Sequence, residues 1–199
     1  MPTIGDLINK DKFVDIGIII DESGSMDDMR ETVVKCFNDF IKEQKQDGED
    51  AYVTFTKFGS FVDIKIKREE ISSIKNIKYS DYSPNGVTAL YDAIFDTIKY
   101  IESNNTNNNV IIAIITDGYE NASKKCNIKS LRELIKEKES KGWKFLFLAS
   151  NIDVEKTSSS IGINPSFSRS FMNTEDGYCK MSNHVTGQVA AYRNYIRNI

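Results

Sequence analysis

The strongest constraint on this chain is a set of short, nearly continuous apolar runs separated by segments whose apolar residues recur at helical spacing. Phe13 to Ile20 and Val110 to Thr116 are the clearest runs. Strands with one wet face alternate apolar and polar residues, so unbroken runs predict strands buried on both faces, as in a parallel sheet covered by helices. Ala51 to Phe58 and Lys144 to Ser150 complete the obvious set, and Phe167 to Phe171 is a weaker edge candidate. Val62 to Lys67 follows Ala51 to Phe58 after a turn at Gly59-Ser60. That turn is too short for a helical crossover and predicts an antiparallel pair.

Between the strands, Met26, Met29, Val33, Phe37, Phe40 and Ile41 mark one face of a helix ending near Gly48. Ala89, Leu90, Ala93, Ile94, Ile98 and Ile101 mark a second, and Ile128, Leu131 and Ile135 a third ending at Gly142. Val185, Val189, Tyr192 and Ile196 mark a terminal helix. The Asn-rich stretch Asn104 to Asn109 reads as a short connection within one βα series. The expected fold is α/β: a Rossmann-like three-layer arrangement, its central sheet mostly parallel with one short antiparallel strand, helices on both faces. A single domain over residues 1–199 is expected, with a core of about 13–197.

Composition removes several function classes. The chain of 199 residues carries 26 Lys plus Arg against 29 Asp plus Glu, a formal charge of −3, with bases and acids interleaved as in Lys136-Glu137-Lys138-Glu139. Nucleic-acid binding draws on clustered cations, so it is disfavoured. Cys36, Cys126 and Cys179 are odd in number and lack CxxC spacing, which indicates neither a disulfide framework nor a zinc ribbon. Met1 to Asp6 has no basic stretch followed by an apolar run, and no run approaches the roughly 20 residues that cross a bilayer. A cytoplasmic protein without membrane association is expected.

In an open parallel sheet, ligands bind beyond the carboxyl ends of the strands. Three loops there are chemically unusual: Asp21-Glu22-Ser23-Gly24-Ser25, Pro84-Asn85-Gly86-Val87-Thr88, and Thr116-Asp117-Gly118-Tyr119-Glu120. If they converge they deliver two carboxylates, Asp21 and Asp117, and three hydroxyls, Ser23, Ser25 and Thr88. Hard oxygen donors in that proportion suit Mg2+, or Mn2+, better than zinc. A coordination position left to water would then accept an Asp or Glu from a protein partner. Each loop taken singly also reads as turn and cap chemistry, with Ser25 or Thr88 as an N-cap and Asp117-Gly118 as a turn. The conjunction of three favours a site.

At these residues the sequence resembles the von Willebrand factor type A (vWA) domains and their metal-ion-dependent adhesion site (MIDAS). Asp15 to Met26 looks like the family's apolar strand followed by DxSxS, Gly86 to Ile94 like its threonine motif, and Ile115-Thr116-Asp117-Gly118 like its aspartate motif. Thr116 to Ser123 and Gly142 to Asp153 resemble stand-alone single-domain members in bacteria and phages. The resemblance implies that Ser23 and Ser25 hold the ion directly, Thr88 directly or through water, and Asp21 and Asp117 mostly through water. Gly86, Gly118, Tyr119 and Glu120 would form the partner-binding rim, with Glu120 alternatively a solvated loop acid.

The implied function is a metal-dependent, protein-binding module and not an enzyme. Two alternatives stand beside it. One is a haloacid-dehalogenase-type Mg2+-dependent phosphatase with Asp21 as nucleophile, although its usual second aspartate is replaced by Ser23. The other is a vWA scaffold that binds its partner without metal. A serine hydrolase is disfavoured because the single histidine, His184, lies far along the chain and no G-x-S-x-G elbow surrounds Ser23 or Ser25.

Overall fold

The computed structural model describes residues 12–105 and 107–199. The N-terminal stretch Met1 to Asp6, read above for a signal, and position 106 of the Asn-rich connection lie outside the described residues. The strands are β1 (Val14–Asp21), β2 (Ala51–Phe58), β3 (Val62–Glu70), β4 (Val110–Thr116), β5 (Lys144–Ala149) and β6 (Ser168–Ser170). The α-helices are α1 (Arg30–Gln46), α2 (Leu90–Asn104), α3 (Ile128–Ser140), α4 (Val154–Ile161) and α5 (Glu175–Arg197). The sheet runs β3-β2-β1-β4-β5-β6. Among the described residues only the β2–β3 pair is antiparallel, and the other pairs are parallel. This is the expected α/β architecture, although β3 is as long as its neighbours.

Every residue of β1 and β4 is buried, which explains why their sequences do not alternate. The side chains nevertheless sort by parity. Ile16, Ile18 and Ile20 of β1 and Ile111, Ala113 and Ile115 of β4 pack with α1 and α5, while Ile19, Ile112 and Ile114 pack with α2, α3 and α4. Two hydrophobic layers therefore sandwich one sheet, and burial on both faces drives the fold. Gly17 sits where β1 meets α2. A Cβ there would lie 2.9 Å from Ile112 Cγ1 and 3.2 Å from Ile101 Cδ1, so the bare backbone sets how closely helix and sheet approach.

Three helical features differ from the sequence expectation. The first helix is entered through a 3-10 segment, Gly24–Met29, which buries both Met26 and Met29, three residues apart as the tighter helix requires. The terminal helix begins ten residues before Val185, where Thr174 Oγ1 accepts from Gly177 N at 3.1 Å and acidic Glu175 and Asp176 occupy the first turn. An additional helix, α4, starts at an Asp153 cap that accepts from Lys156 N at 3.0 Å.

Candidate functional site

The β1–β4 register pairs Ile20 with Ile115, so Asp21 and Thr116 emerge side by side at the carboxyl edge of the sheet. Their side chains meet there: Thr116 Oγ1 donates to Asp21 Oδ2 at 2.6 Å. Asp21 Oδ1 accepts from Ser23 N at 2.8 Å, which folds the chain back after the strand. The Tyr82 hydroxyl, itself buried, donates to the Asp21 carbonyl. Burial pushes the Asp21 carboxyl above the usual range, opposed by the hydrogen bonds from Thr116 and Ser23 and reinforced by the charge of Asp117.

From this anchored acid a chain of polar groups runs outward. Ser23 Oγ lies 3.2 Å from Ser25 Oγ, and Ser25 Oγ donates to Asp117 Oδ1 at 2.7 Å. Asp117 Oδ2 is buried and has no hydrogen-bond partner among the described residues. The threonine loop closes on the same place. Gly24 N donates to Gly86 O at 3.2 Å, and a Cβ built on Gly118 would stand 3.5 Å from Thr88 Oγ1. Gly86 adopts φ +77°, and a side chain there would run into Ser60 Oγ at 2.1 Å, so this position admits only glycine in both conformation and space.

The structure thus brings Asp21, Ser23, Ser25, Thr88 and Asp117 to one end of the sheet. Asp21, Ser23, Thr88 and Asp117 are buried and Ser25 is exposed. The cap readings do not hold. Ser25 lies inside the 3-10 segment with its hydroxyl turned to Asp117, and α2 is preceded by Ala89 with no side-chain cap. Thr88 instead exchanges backbone hydrogen bonds with Asn121, whose Oδ1 accepts from Thr88 N at 2.8 Å and whose N donates to Thr88 O at 3.0 Å.

Of the rim residues, Gly86 and Tyr119 are exposed and Gly118 half-buried. Tyr119 Oη accepts from Asp153 N at 3.2 Å. Glu120 turns inward: it accepts from Tyr91 N, Ala122 N, Ser123 N and Ser123 Oγ at 2.7–2.9 Å. Beside it, buried Asp92 accepts from the amides of Lys124, Lys125 and Cys126 at 2.8–2.9 Å. These two acids pin the loop after β4 to the start of α2. Sequence reasoning missed the part played by Asp92, because an acid in a first helical turn already has a sufficient explanation in the helix dipole.

The expectation of Mg2+ or Mn2+ is corrected. Among the described residues, no group of three or more His, Cys, Asp or Glu side chains is placed to hold a metal ion. The cluster offers two carboxylates, and three of their four oxygens are already hydrogen-bonded within the protein; its other candidate donors are neutral hydroxyls. The arrangement does not suit catalysis either. Asp21, the nucleophile of the phosphatase alternative, has 0% exposure and both oxygens engaged. His184 lines a separate groove with Arg169 and Lys180.

The fold recurs in solved structures of low sequence identity. The PilB minor pilin from Streptococcus sanguinis superposes with a TM-score of 0.70 at 14% identity, covering 89% of this chain and 61% of that one. The SpaC pilus adhesin from Lactobacillus rhamnosus GG gives 0.70 at 12% identity, over 89% of this chain and 30% of the adhesin. Proximal thread matrix protein 1 from the mussel byssus gives 0.67 at 12% identity, over 90% and 47%. The chain therefore spans less than two thirds of the length of each. No curated protein matches the sequence significantly. A minor pilin, a pilus adhesin and a byssus protein among the structural relatives overturn the expectation of a cytoplasmic location. No helix among the described residues is long and apolar enough to cross a membrane. The family model of the von Willebrand factor type A domain matches residues 15–181, and the chain belongs to that family.

Proposed function

We propose that the chain is a protein-binding module that engages its partner through the loops at the carboxyl edge of the sheet. The observation that carries this reading is Asp117 Oδ2, a buried acceptor in the converging loops with no hydrogen-bond partner among the described residues. A buried carboxylate oxygen without a donor is costly; reaching it requires the surrounding loops to part, and a partner's donor that does so recovers that cost on binding. Apolar and aromatic side chains surround this end of the molecule. Phe61 on the β2–β3 turn is 87% exposed, Val87 46% and Tyr119 56%. Val87 N and Ser60 Oγ, 3.3 Å apart, hold the first two of these loops together. Exposed aromatics about a polar centre are the composition of a protein-binding patch.

This reading follows the metal-free scaffold of the vWA fold. With the ion withdrawn, a bridge to a partner's Asp or Glu loses its basis. The group that complements Asp117 is a donor: the ammonium of Lys, the guanidinium of Arg or a side-chain amide.

The test is capture from the native host with the immobilised chain, comparing wild type, Phe61→Ser with Tyr119→Ser, Asp117→Asn, and Lys141→Ala at the opposite end of the sheet. A protein retained by wild type and by Lys141→Ala is expected to fall at least about tenfold with the other two variants, the loss typical of hot-spot residues. Equal retention by all four would remove the proposal. Elution by an Asp-rich peptide in preference to a Lys-rich one would reverse the assignment of the partner's chemistry.

A further inference from the structure

We propose that Cys36 and Cys179 form a thiol pair that closes to an intramolecular disulfide and locks α5 onto α1. Their Sγ atoms lie 3.2 Å apart although the residues are 143 positions apart in the chain. Bond formation requires a further approach of only about 1.2 Å, to the S–S length of roughly 2.05 Å.

The two helices are already fixed in the alignment the bond needs. They run parallel, and contacts recur along them. Beyond the cysteines, Gln44 Nε2 donates to Thr186 O at 3.1 Å, and Arg193 donates to Gln44 O and Gly48 O, both at 2.7 Å. Closure therefore needs side-chain rotation and no sliding of one helix past the other. The third thiol does not compete. Cys126 packs in the hydrophobic layer on the other face of the sheet, whereas Cys36 and Cys179 share the α1–α5 layer.

The two sulfurs differ in access, which sets the order of events. Cys36 is buried and Cys179 half-buried. Burial, with the hydrogen bond to Cys179, pushes the Cys36 thiol up to about 12, so it is a poor point of entry. With a small-molecule disulfide as oxidant, the Cys179 thiolate attacks one of its sulfurs, forms a mixed disulfide and expels one thiolate. Cys36 then loses its proton and attacks Cys179 Sγ, forming the S–S bond and expelling the second thiolate. The protein gives up two electrons and two protons, and one disulfide becomes two thiols. The sequence had suggested no disulfide because spacing along the chain does not report proximity between helices.

The experiment incubates the native full chain with oxidised glutathione, then counts free thiols and maps peptides by mass. The expected result is a fall from three thiols to one and a mass lower by two hydrogens. The peptides bearing Cys36 and Cys179 should be joined, and Tm should rise by roughly 5–12 °C, all reversed by dithiothreitol. Cys126→Ser should behave as wild type, and Cys179→Ser should show no gain. Retention of all three thiols, a glutathione adduct on Cys179 that never resolves, or a link involving Cys126 would each overturn the proposal. Peptide mapping on the unaltered chain decides the matter even if a variant fails to fold.

Discussion

Arg193, with no exposed side-chain surface, donates to Asp50 Oδ1 at 2.6 Å. The same carboxylate accepts from Arg197 through both oxygens, at 2.5 and 2.7 Å. Two arginines of the last helix thus grip the short turn between α1 and β2. Removing one partner of a buried ion pair strands the other groups, so Arg193→Met is expected to destabilise the protein by about 3 kcal/mol. Urea denaturation should show a lower midpoint with an unchanged slope.

The same network governs acid stability. Burial alone would raise the Asp50 carboxyl, but hydrogen bonds and charge from Arg197 and Arg193 outweigh it and hold it at about 2, below the reference 3.8. A lowered folded-state value stabilises fully above the unfolded value and is lost as pH falls from there through the folded one. Asp50 should therefore contribute about 1 to 2 kcal/mol near neutrality, discounted for its partial exposure, and lose it between about pH 4 and pH 2. Asp15 and Asp21 are raised, with burial as the largest cause. Their sign is opposite: they favour the folded state as they protonate, flattening the upper part of the acid limb. Tm measured against pH should show this shape, and Arg193→Met should reduce the steep lower part.

Asp92 holds three amides of the loop after β4. Replacing it by Ala leaves those donors without their acceptor, at a cost of about 2 to 3 kcal/mol. Hydrogen exchange should accelerate at the Lys124, Lys125 and Cys126 amides while the amides of β1 keep their order of protection.

Gly17→Ala places a methyl 2.9 Å from Ile112 Cγ1. Overpacking of this kind costs about 1 to 3 kcal/mol. Ile112→Ala in the same chain removes the Cγ1 that the new methyl meets and should cancel the overpacking part of the loss, so that a double-mutant cycle yields a favourable coupling. Additive effects would show that the sheet and α2 separate freely.

Much of the sheet was legible because each buried strand is a run of Ile, Val and Phe with a turn at its end, so the bounds of β2 and β4 match the sequence reading. The convergence of Asp21, Ser23, Ser25 and Asp117 was legible for the same reason, since residues that follow adjacent parallel strands must emerge together, whereas Thr88 precedes α2 and is brought in by the contact of its loop with Gly24. What these groups do to one another was not. Residue types alone do not reveal that Asp21 spends both oxygens on Thr116 and Ser23, or that Glu120 turns away from solvent toward Tyr91. α4 escaped notice because Ser158, Ser159 and Ser160 interrupt its apolar spacing and only Val154 and Ile161 anchor it. The location inferred from the first residues rested on a missing pattern, which the pilus and byssus relatives outweigh.

The hydrogen bond from Thr116 to Asp21 joins groups 95 residues apart, and that from Ser25 to Asp117 spans 92. Contacts of such separation form only after the long intervening loop has closed, and that closure is among the slow steps of folding a parallel sheet. Only the local contacts of the first loop, Ser23 N to Asp21 and Ser23 Oγ beside Ser25 Oγ, can precede that closure. A nascent chain that ends before Thr116 therefore lacks both bonds that join the two loops, and the proposed partner-binding edge is complete only once β4 has paired with β1.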